Sequence, residues 1–119
     1  MQDEIDTAAS PSVPSRALIV ASDAATRRQL VELLSAQRVR VREAESVSRA
    51  WEILRKEPFD LVVPVDAVLH GAGMDLIAEL HAFDRATAVV AVVDSTACGR
   101  RALAAGAYDV FPSPVDGER

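Results

Sequence analysis

The sequence predicts an α/β domain built on a parallel, doubly wound sheet. From residue 16 onward, short apolar runs alternate with amphipathic segments at a spacing of roughly 20 residues, which is typical of strands joined by crossover helices. Residues 17–21 and 89–93 are apolar throughout, as expected for strands that helices cover on both faces. Residues 38–42 instead alternate between arginine and valine, which is typical of a strand at the edge of a sheet.

The first strand, over residues 17–21, is expected to lie centrally because it is wholly apolar. A helix is predicted over residues 24–35, where three leucines fall on one stripe. Ser22 or Asp23 can accept hydrogen bonds from the first free amides of this helix.

The second strand is predicted over residues 38–42, with arginines on its outer face. Ser46 then caps a helix whose apolar residues recur with the spacing of a helix that lies on a core. These residues are Val47, Ala50, Trp51 and Leu54.

A third strand is predicted over residues 59–66. Pro64 cannot donate a hydrogen bond to a neighbouring strand, so this strand either ends early or bulges there. The glycine-containing turn 71–73 leads into a helix over about residues 74–82, with Leu76, Ile77 and Leu80 facing inward.

The fourth strand is predicted over residues 89–93. Ser95 caps the helix that follows, and Gly106 can adopt the left-handed conformation that ends it. The last strand covers residues 108–111, and the sequence predicts no closing helix before Arg119.

The chain divides into three parts by composition. Residues 1–15 are rich in Pro, Ser and acidic side chains and predict a flexible arm. Residues 16–116 form the domain, and residues 117–119 form a tail.

Composition disfavours several classes of function. The net charge of -5 does not suit a protein that grips phosphate backbones, and no apolar run approaches the ~18 residues that span a bilayer. The first residues lack the features of a signal peptide, which predicts a cytoplasmic domain.

Cys98, the only cysteine, is expected to be a core side chain. The glycines form no phosphate-cradling loop after strand one, so a nucleotide enzyme is not expected.

Four segments carry a resemblance to a known family. They are Leu18-Ile19-Val20, Phe59-Asp60-Leu61-Val62, Gly73-Met74-Asp75-Leu76 and the segment from Gly106 to Pro114. In this order they resemble the receiver domain of two-component response regulators, over about residues 16–116. The resemblance implies a flavodoxin-like (CheY-like) sheet of strand order 2-1-3-4-5, with its functional groups at the carboxyl ends of strands one and three.

The resemblance also implies a chemistry. Receivers accept a phosphoryl group from a histidine kinase on an aspartate that ends strand three, with Mg²⁺ held partly by an acidic pair after strand one. A Thr or Ser that ends strand four and a Lys before the last Pro bind phosphoryl oxygens. The corresponding positions in this chain carry none of these groups, because they are Ala21 and Ser22, Val65, Val93 and Ser113.

The only lysine, Lys56, falls at a helix-to-strand turn on the opposite side of the sheet. The segment from Val93 to Gly106 is also about two residues shorter than the family pattern, which shortens the loop that rearranges on phosphorylation. The sequence therefore predicts a degenerate receiver, or pseudo-receiver, that is not an enzyme and that uses no cofactor and no metal.

A pseudo-receiver acts through contacts with other proteins. We expect the partner to be another protein, an output domain of a larger regulator or a second copy of the chain, with no direct contact to nucleic acid or membrane. An apolar sheet face left uncovered by a missing final helix would favour such a partner. In receivers, the fourth helix and fifth strand commonly form the dimer surface, and the matching residues are Arg100, Arg101, Tyr108 and Val110.

One alternative remains open from the sequence. Asp23, Asp66 and Asp94 each lie one residue beyond a lost position, so three carboxylates could form a residual acidic cluster. Asp66 would then be the phosphoacceptor, with Mg²⁺, in a histidine kinase phosphorelay. Ordinary helix caps at Asp23 and Asp94 and a solvated Asp66 are the competing interpretation.

His70 and His81 are expected to be surface residues rather than a metal pair.

Overall fold

Five parallel strands form one sheet in the order β2-β1-β3-β4-β5, as the resemblance implies. The computed structural model describes residues 16–83 and 86–112, except the side chain of Asp66. The strands are β1 (Arg16–Val20), β2 (Arg40–Ala44), β3 (Leu61–Pro64), β4 (Ala88–Val93) and β5 (Asp109–Pro112). The predicted arm (1–15), the tail (117–119) and Ser113 lie outside the described residues.

Strand β1 lies inside the sheet, between β2 and β3, as its apolar composition predicts. It pairs with β2 from Arg16 to Val20 and with β3 from Ala17 onward. Leu18, Ile19 and Val20 have no exposed surface. A strand with hydrogen-bonded neighbours on both edges and helices on both faces requires apolar side chains at every position, which explains the unbroken apolar run.

Strand β2 is the predicted edge strand, but it begins two residues later than the alternation indicates. Arg38 has a φ of 67° and belongs to the turn that ends the preceding helix. The amide of Val39 donates to the carbonyl of Leu34 and not to a strand. Val39 is buried and Arg40 is exposed, so the in-and-out pattern continues from the turn into the strand.

Strand β3 ends at Pro64, earlier than the sequence alone required. The pairing of β3 with β4 covers Leu61 and Val62 and resumes only as an isolated bridge between Val65 and Val92. Pro64 lies within this gap. A proline has no N–H to donate to the neighbouring strand, which explains the interrupted pairing.

Four α-helices and one short 3₁₀ helix connect the strands. The α-helices are α1 (Ala24–Ser35), α2 (Val47–Leu54), α3 (Gly73–Phe83) and α4 (Thr96–Ala105), and the 3₁₀ helix covers Asp66–His70. Side-chain oxygens of Asp23, Ser46 and Ser95 accept hydrogen bonds from the first turns of α1, α2 and α4. Each satisfies an amide that the helix itself cannot pair.

The helices divide unequally between the two faces of the sheet. Leu30 of α1 packs with Ile19 and Val63 in one hydrophobic cluster. Buried residues of the other three helices join Leu18 and Val20 in a second and larger cluster. Successive side chains of a strand point to opposite faces of the sheet, so neighbouring β1 residues join different clusters.

Ion pairs lie at the amino-terminal edge of the sheet. Glu57, which follows α2, forms ion pairs with Arg16 of β1 and Arg42 of β2. Desolvation opposes ionisation of this carboxyl, but the two arginine hydrogen bonds outweigh it and lower the pKa of Glu57. Lys56 is adjacent to Glu57, so the only lysine lies at the edge opposite the carboxyl ends of the strands.

Two glycines are required by close packing. Gly106 ends α4 with a φ of 122°, and a Cβ atom there would lie 2.5 Å from the Cβ of His81 on α3. Gly73 begins α3, where a Cβ would lie 2.5 Å from the carbonyl oxygen of Val68. Neither glycine takes part in a phosphate-binding loop.

We predict that Gly106→Ala destabilises the domain by at least about 1–2 kcal/mol, because an L-residue is strained at positive φ and its Cβ would displace His81. Chemical denaturation measures the change. Gly99→Ala is the matched control, since a Cβ at Gly99 makes only ordinary contacts at 3.5 and 3.6 Å. This control should be neutral or stabilising by up to about 1 kcal/mol. Equal stability of Gly106→Ala and the unmodified chain would contradict the account.

Candidate functional site

The carboxyl ends of the strands form the edge at which a doubly wound fold binds its ligands. β1 and β3 are neighbours in the sheet, and β4 lies on the far side of β3. The residues that follow these three strands therefore lie at one edge, and their side chains determine what this edge can do.

The end of β1, where the resemblance places the family's acidic pair, is contacted by a guanidinium. Ala21 is only 1% exposed, whereas Ser22 is exposed. Nη1 of Arg27, from the first turns of α1, donates to the carbonyl oxygen of Ala21 at 2.8 Å and to that of Ser22 at 3.4 Å. Nε of Arg27 lies 3.2 Å from Oε1 of Glu43 on β2. A positive charge is thus held at this end of β1.

The end of β3 is hydrocarbon. Val65, which the resemblance assigns to the phosphoacceptor position, is 3% exposed and belongs to the same hydrophobic cluster as Ala21 and Val92. Its amide donates to the carbonyl oxygen of Val20 at 3.0 Å, which extends the sheet one residue past β3. The side chain at position 65 is therefore part of the core that α1 covers.

Val93, at the end of β4, is also buried and packs in the cluster on the opposite face. It offers no hydroxyl to a phosphoryl oxygen. Ser113, which the resemblance assigns to the lysine position, lies outside the described residues.

The described side chains at these positions do not fit Mg²⁺, which requires hard oxygen ligands. Ala21 and Val65 present only methyl groups. The nearby carboxylate of Asp23 accepts hydrogen bonds from the hydroxyl of Thr26 at 2.6 Å and from its amide at 2.9 Å. These two bonds, led by that of the hydroxyl, lower the pKa of Asp23. Asp23 thus serves as the cap of α1.

The three acids of the predicted cluster have different environments. Asp23 caps α1, and Asp94 contacts His70, with its two carboxylate oxygens 3.3 and 3.2 Å from Nε2. The backbone of Asp66 begins the 3₁₀ helix, while its side chain lies outside the description. The sequence interpretation of Asp94 as a helix cap is wrong, because Ser95 caps α4.

A group of three potential ligands was missed by the sequence interpretation. Nε2 of His70, a carboxylate oxygen of Asp94 and Sγ of Cys98 all lie within 4.8 Å of one another. Cys98 is buried, as expected, but at the base of this group. His70 is 24 positions from Asp94, so no short spacing motif could reveal the group. Its only sequence signal is the position of each residue after the end of a neighbouring strand.

The predicted interaction surface lies on α4 and the edge strand β5. Arg100 and Arg101 are exposed on α4, and Tyr108 is 80% exposed just before β5. Val110 is partly buried against the core. A groove of about 420 Å³ between α4 and β5 is lined in part by Leu103, Val110 and Phe111. Leu103, Tyr108 and Phe111 are all about half exposed or more, which makes this region apolar as well as basic.

Comparisons with known proteins agree with this architecture. The profile of the response regulator receiver domain matches residues 17–119. The response regulator protein PilR of Pseudomonas aeruginosa is 33% identical over 103 residues, which cover 85% of this chain and 23% of PilR. The chain thus spans about a quarter of that relative.

Solved structures give the same fold. A CheY-like receiver domain protein from Methanospirillum hungatei superposes with a TM-score of 0.75 at 22% identity, over 86% of this chain and 83% of that one. A response regulator from Burkholderia pseudomallei, solved with a phosphorylated aspartic acid, gives 0.75 at 19% identity, over 86% and 61%.

None of the helices in the described ranges combines the length and the apolar character needed to cross a bilayer. The match to the family profile extends over nearly the whole domain, from β1 through β5. The chain belongs to the response regulator receiver domain family of two-component signalling.

Proposed function

We propose that this chain is a cytoplasmic pseudo-receiver, a regulatory protein-interaction module that works without phosphorylation. The observation that carries this proposal is the burial of Val65, which is 3% exposed at the position that the resemblance assigns to the phosphoacceptor. A valine has no atom that can attack a phosphoryl group, since that step needs a nucleophile such as a carboxylate.

The surroundings of Val65 support the same proposal. Ala21 and Val92 pack with it in one hydrophobic cluster, so hydrocarbon occupies the volume next to position 65. Burial of an ion in such surroundings is costly unless it is paired. At the end of β1, the guanidinium of Arg27 is bonded to backbone carbonyls.

The contacts of Arg27 explain how the carboxyl edge of the sheet can be stable without a bound metal ion. Its Nη1 satisfies carbonyl oxygens at the end of β1, and its Nε pairs with Glu43 on β2. A hydrogen bond from a charged donor contributes about 1.5–3 kcal/mol, which is more than a neutral one. The ends of β1 and β2 are thereby linked in a single arrangement that requires no added ion.

Regulation by such a domain depends on its surface, and the surface of α4 and β5 suits a protein partner. It combines exposed aromatic side chains with exposed arginines, and these residue types are enriched at protein interfaces. The proposed contact residues are Arg100, Arg101, Tyr108 and Val110. A second copy of the chain or an output domain of the full regulator could occupy this surface.

We predict that acetyl phosphate labelled with ³²P, supplied with Mg²⁺, transfers no phosphoryl group to the chain. Acid-stable and base-labile label on the protein, quantified after gel filtration, is the measurement. The physical reason is the lack of a carboxylate at position 65 and of a described Mg²⁺ ligand beside it.

Two variants make this experiment decisive. Asp66→Asn removes the alternative phosphoacceptor, and Asp75→Asn removes an exposed carboxylate in the first turn of α3 as a matched control. Label that Asp66→Asn abolishes and Asp75→Asn retains would overturn the proposal. The chain would then be a phospho-accepting receiver that uses Asp66 with Mg²⁺ in a histidine kinase phosphorelay.

We predict that Tyr108→Ser weakens self-association of the chain about tenfold or more, since a buried aromatic anchor contributes roughly 2 kcal/mol at an interface. Sedimentation equilibrium over a range of concentrations measures the dimer constant. Phe83→Ser is the matched control, because Phe83 is 85% exposed, close to the 80% of Tyr108, but lies at the end of α3. A chain that is monomeric at every concentration would remove the homodimer from the proposal and leave a different protein as the partner.

A further inference from the structure

Three different ligand types meet at the edge of the sheet between the ends of β3 and β4. His70 is the last residue of the 3₁₀ helix that follows β3, and Asp94 is the first residue after β4. Cys98 lies in the first turn of α4. Because β3 and β4 are neighbours in the sheet, the segments that follow them lie side by side.

The distances suit a small coordination sphere. Nε2 of His70 lies 3.2 and 3.3 Å from the two carboxylate oxygens of Asp94, and Sγ of Cys98 completes a group that lies within 4.8 Å. Ligands bound to Zn²⁺ at about 2.1 Å in a tetrahedron are roughly 3.4 Å apart. The nitrogen and oxygen therefore already have ligand spacing, and only the sulfur, which lies up to 4.8 Å away, must approach by up to about 1.4 Å.

The donor set selects the class of ion. Imidazole nitrogen and thiolate sulfur favour borderline and soft ions, whereas Mg²⁺ and Ca²⁺ prefer oxygen. A carboxylate and a thiolate together balance the charge of a divalent ion. The thiol of Cys98 lies in the first turn of α4, where the helix dipole favours an anion.

The site has a closed side and an open side. Cys98 is 1% exposed and forms the floor. The side chains of His70 and Asp94 are 48% and 50% exposed, which allows an ion to enter. Three protein ligands with an open fourth position are a known arrangement for Zn²⁺.

We propose that His70, Asp94 and Cys98 bind one divalent ion of the Zn²⁺ class. The hydrogen bond from Nε2 of His70 to Asp94 breaks and the imidazole proton moves to Nδ1, after which Nε2, a carboxylate oxygen and the Cys98 sulfur form bonds to the ion. The proton of the Cys98 thiol leaves to water, and a water molecule fills the fourth position. The ion joins the 3₁₀ helix after β3 to the first turn of α4, and this proposal stands whether or not the chain accepts a phosphoryl group.

The test uses Co²⁺ as a spectroscopic probe and Zn²⁺ alone as the ligand. The expected result is a sulfur-to-cobalt charge-transfer absorption with one equivalent of Co²⁺, which Zn²⁺ displaces. Isothermal titration calorimetry gives the Zn²⁺ affinity. His70→Ala should weaken it by at least about tenfold, since even groups outside the coordination sphere contribute 10–100-fold.

Further variants keep the proposal falsifiable. Cys98→Ala should abolish the charge-transfer band, and circular dichroism checks that this buried substitution leaves the fold intact. His81→Ala removes an exposed histidine on α3 and should leave the Zn²⁺ affinity unchanged. The proposal is overturned if no charge-transfer band forms, if Mg²⁺ displaces Co²⁺ at equal concentration, or if His70→Ala binds Zn²⁺ as the unmodified chain does.

Discussion

The hydrophobic contact among Ala21, Val65 and Val92 beneath α1 is the constraint on which the carboxyl edge depends. Burial of a valine side chain contributes roughly 1.5–3 kcal/mol, whereas an unpaired carboxylate in the same place would cost free energy. The resemblance places the family's carboxylates at this edge, and the side chains at the corresponding positions Ala21 and Val65 are buried hydrocarbon. The cap at Asp23 and the bonds of Arg27 then satisfy the polar groups that remain around the cluster.

Under the proposed function, the buried hydrocarbon at this edge changes how the domain acts. A receiver that accepts a phosphoryl group converts a chemical change at β3 into a movement near α4. Under the proposed function, a signal arrives instead as a binding event at the surface. The exposed Tyr108 and the arginines of α4 offer a surface for a protein, and the proposed ion site acts at the start of the same helix. Both proposals therefore place regulation on α4.

Local patterns predicted most of the fold and little of the site. The bounds of α1 and the caps at Ser46 and Ser95 follow from short-range rules, and the structure confirms them. The predicted start of β2 is wrong by two residues, because Arg38 adopts a positive φ that the alternation of residue types does not reveal. The contact of His70 with Asp94 depends on which strands are neighbours, so it required the three-dimensional structure.

The most direct test of the central claim is an amide NMR titration with Mg²⁺, followed by Mg²⁺ plus beryllofluoride, a mimic of a phosphorylated aspartate. The account predicts that adding beryllofluoride leaves the resonances of Ala21, Val65 and Val93 unchanged, since their side chains are buried hydrocarbon. Saturable shifts at these amides that require both Mg²⁺ and beryllofluoride would show a working acyl phosphate site and contradict it.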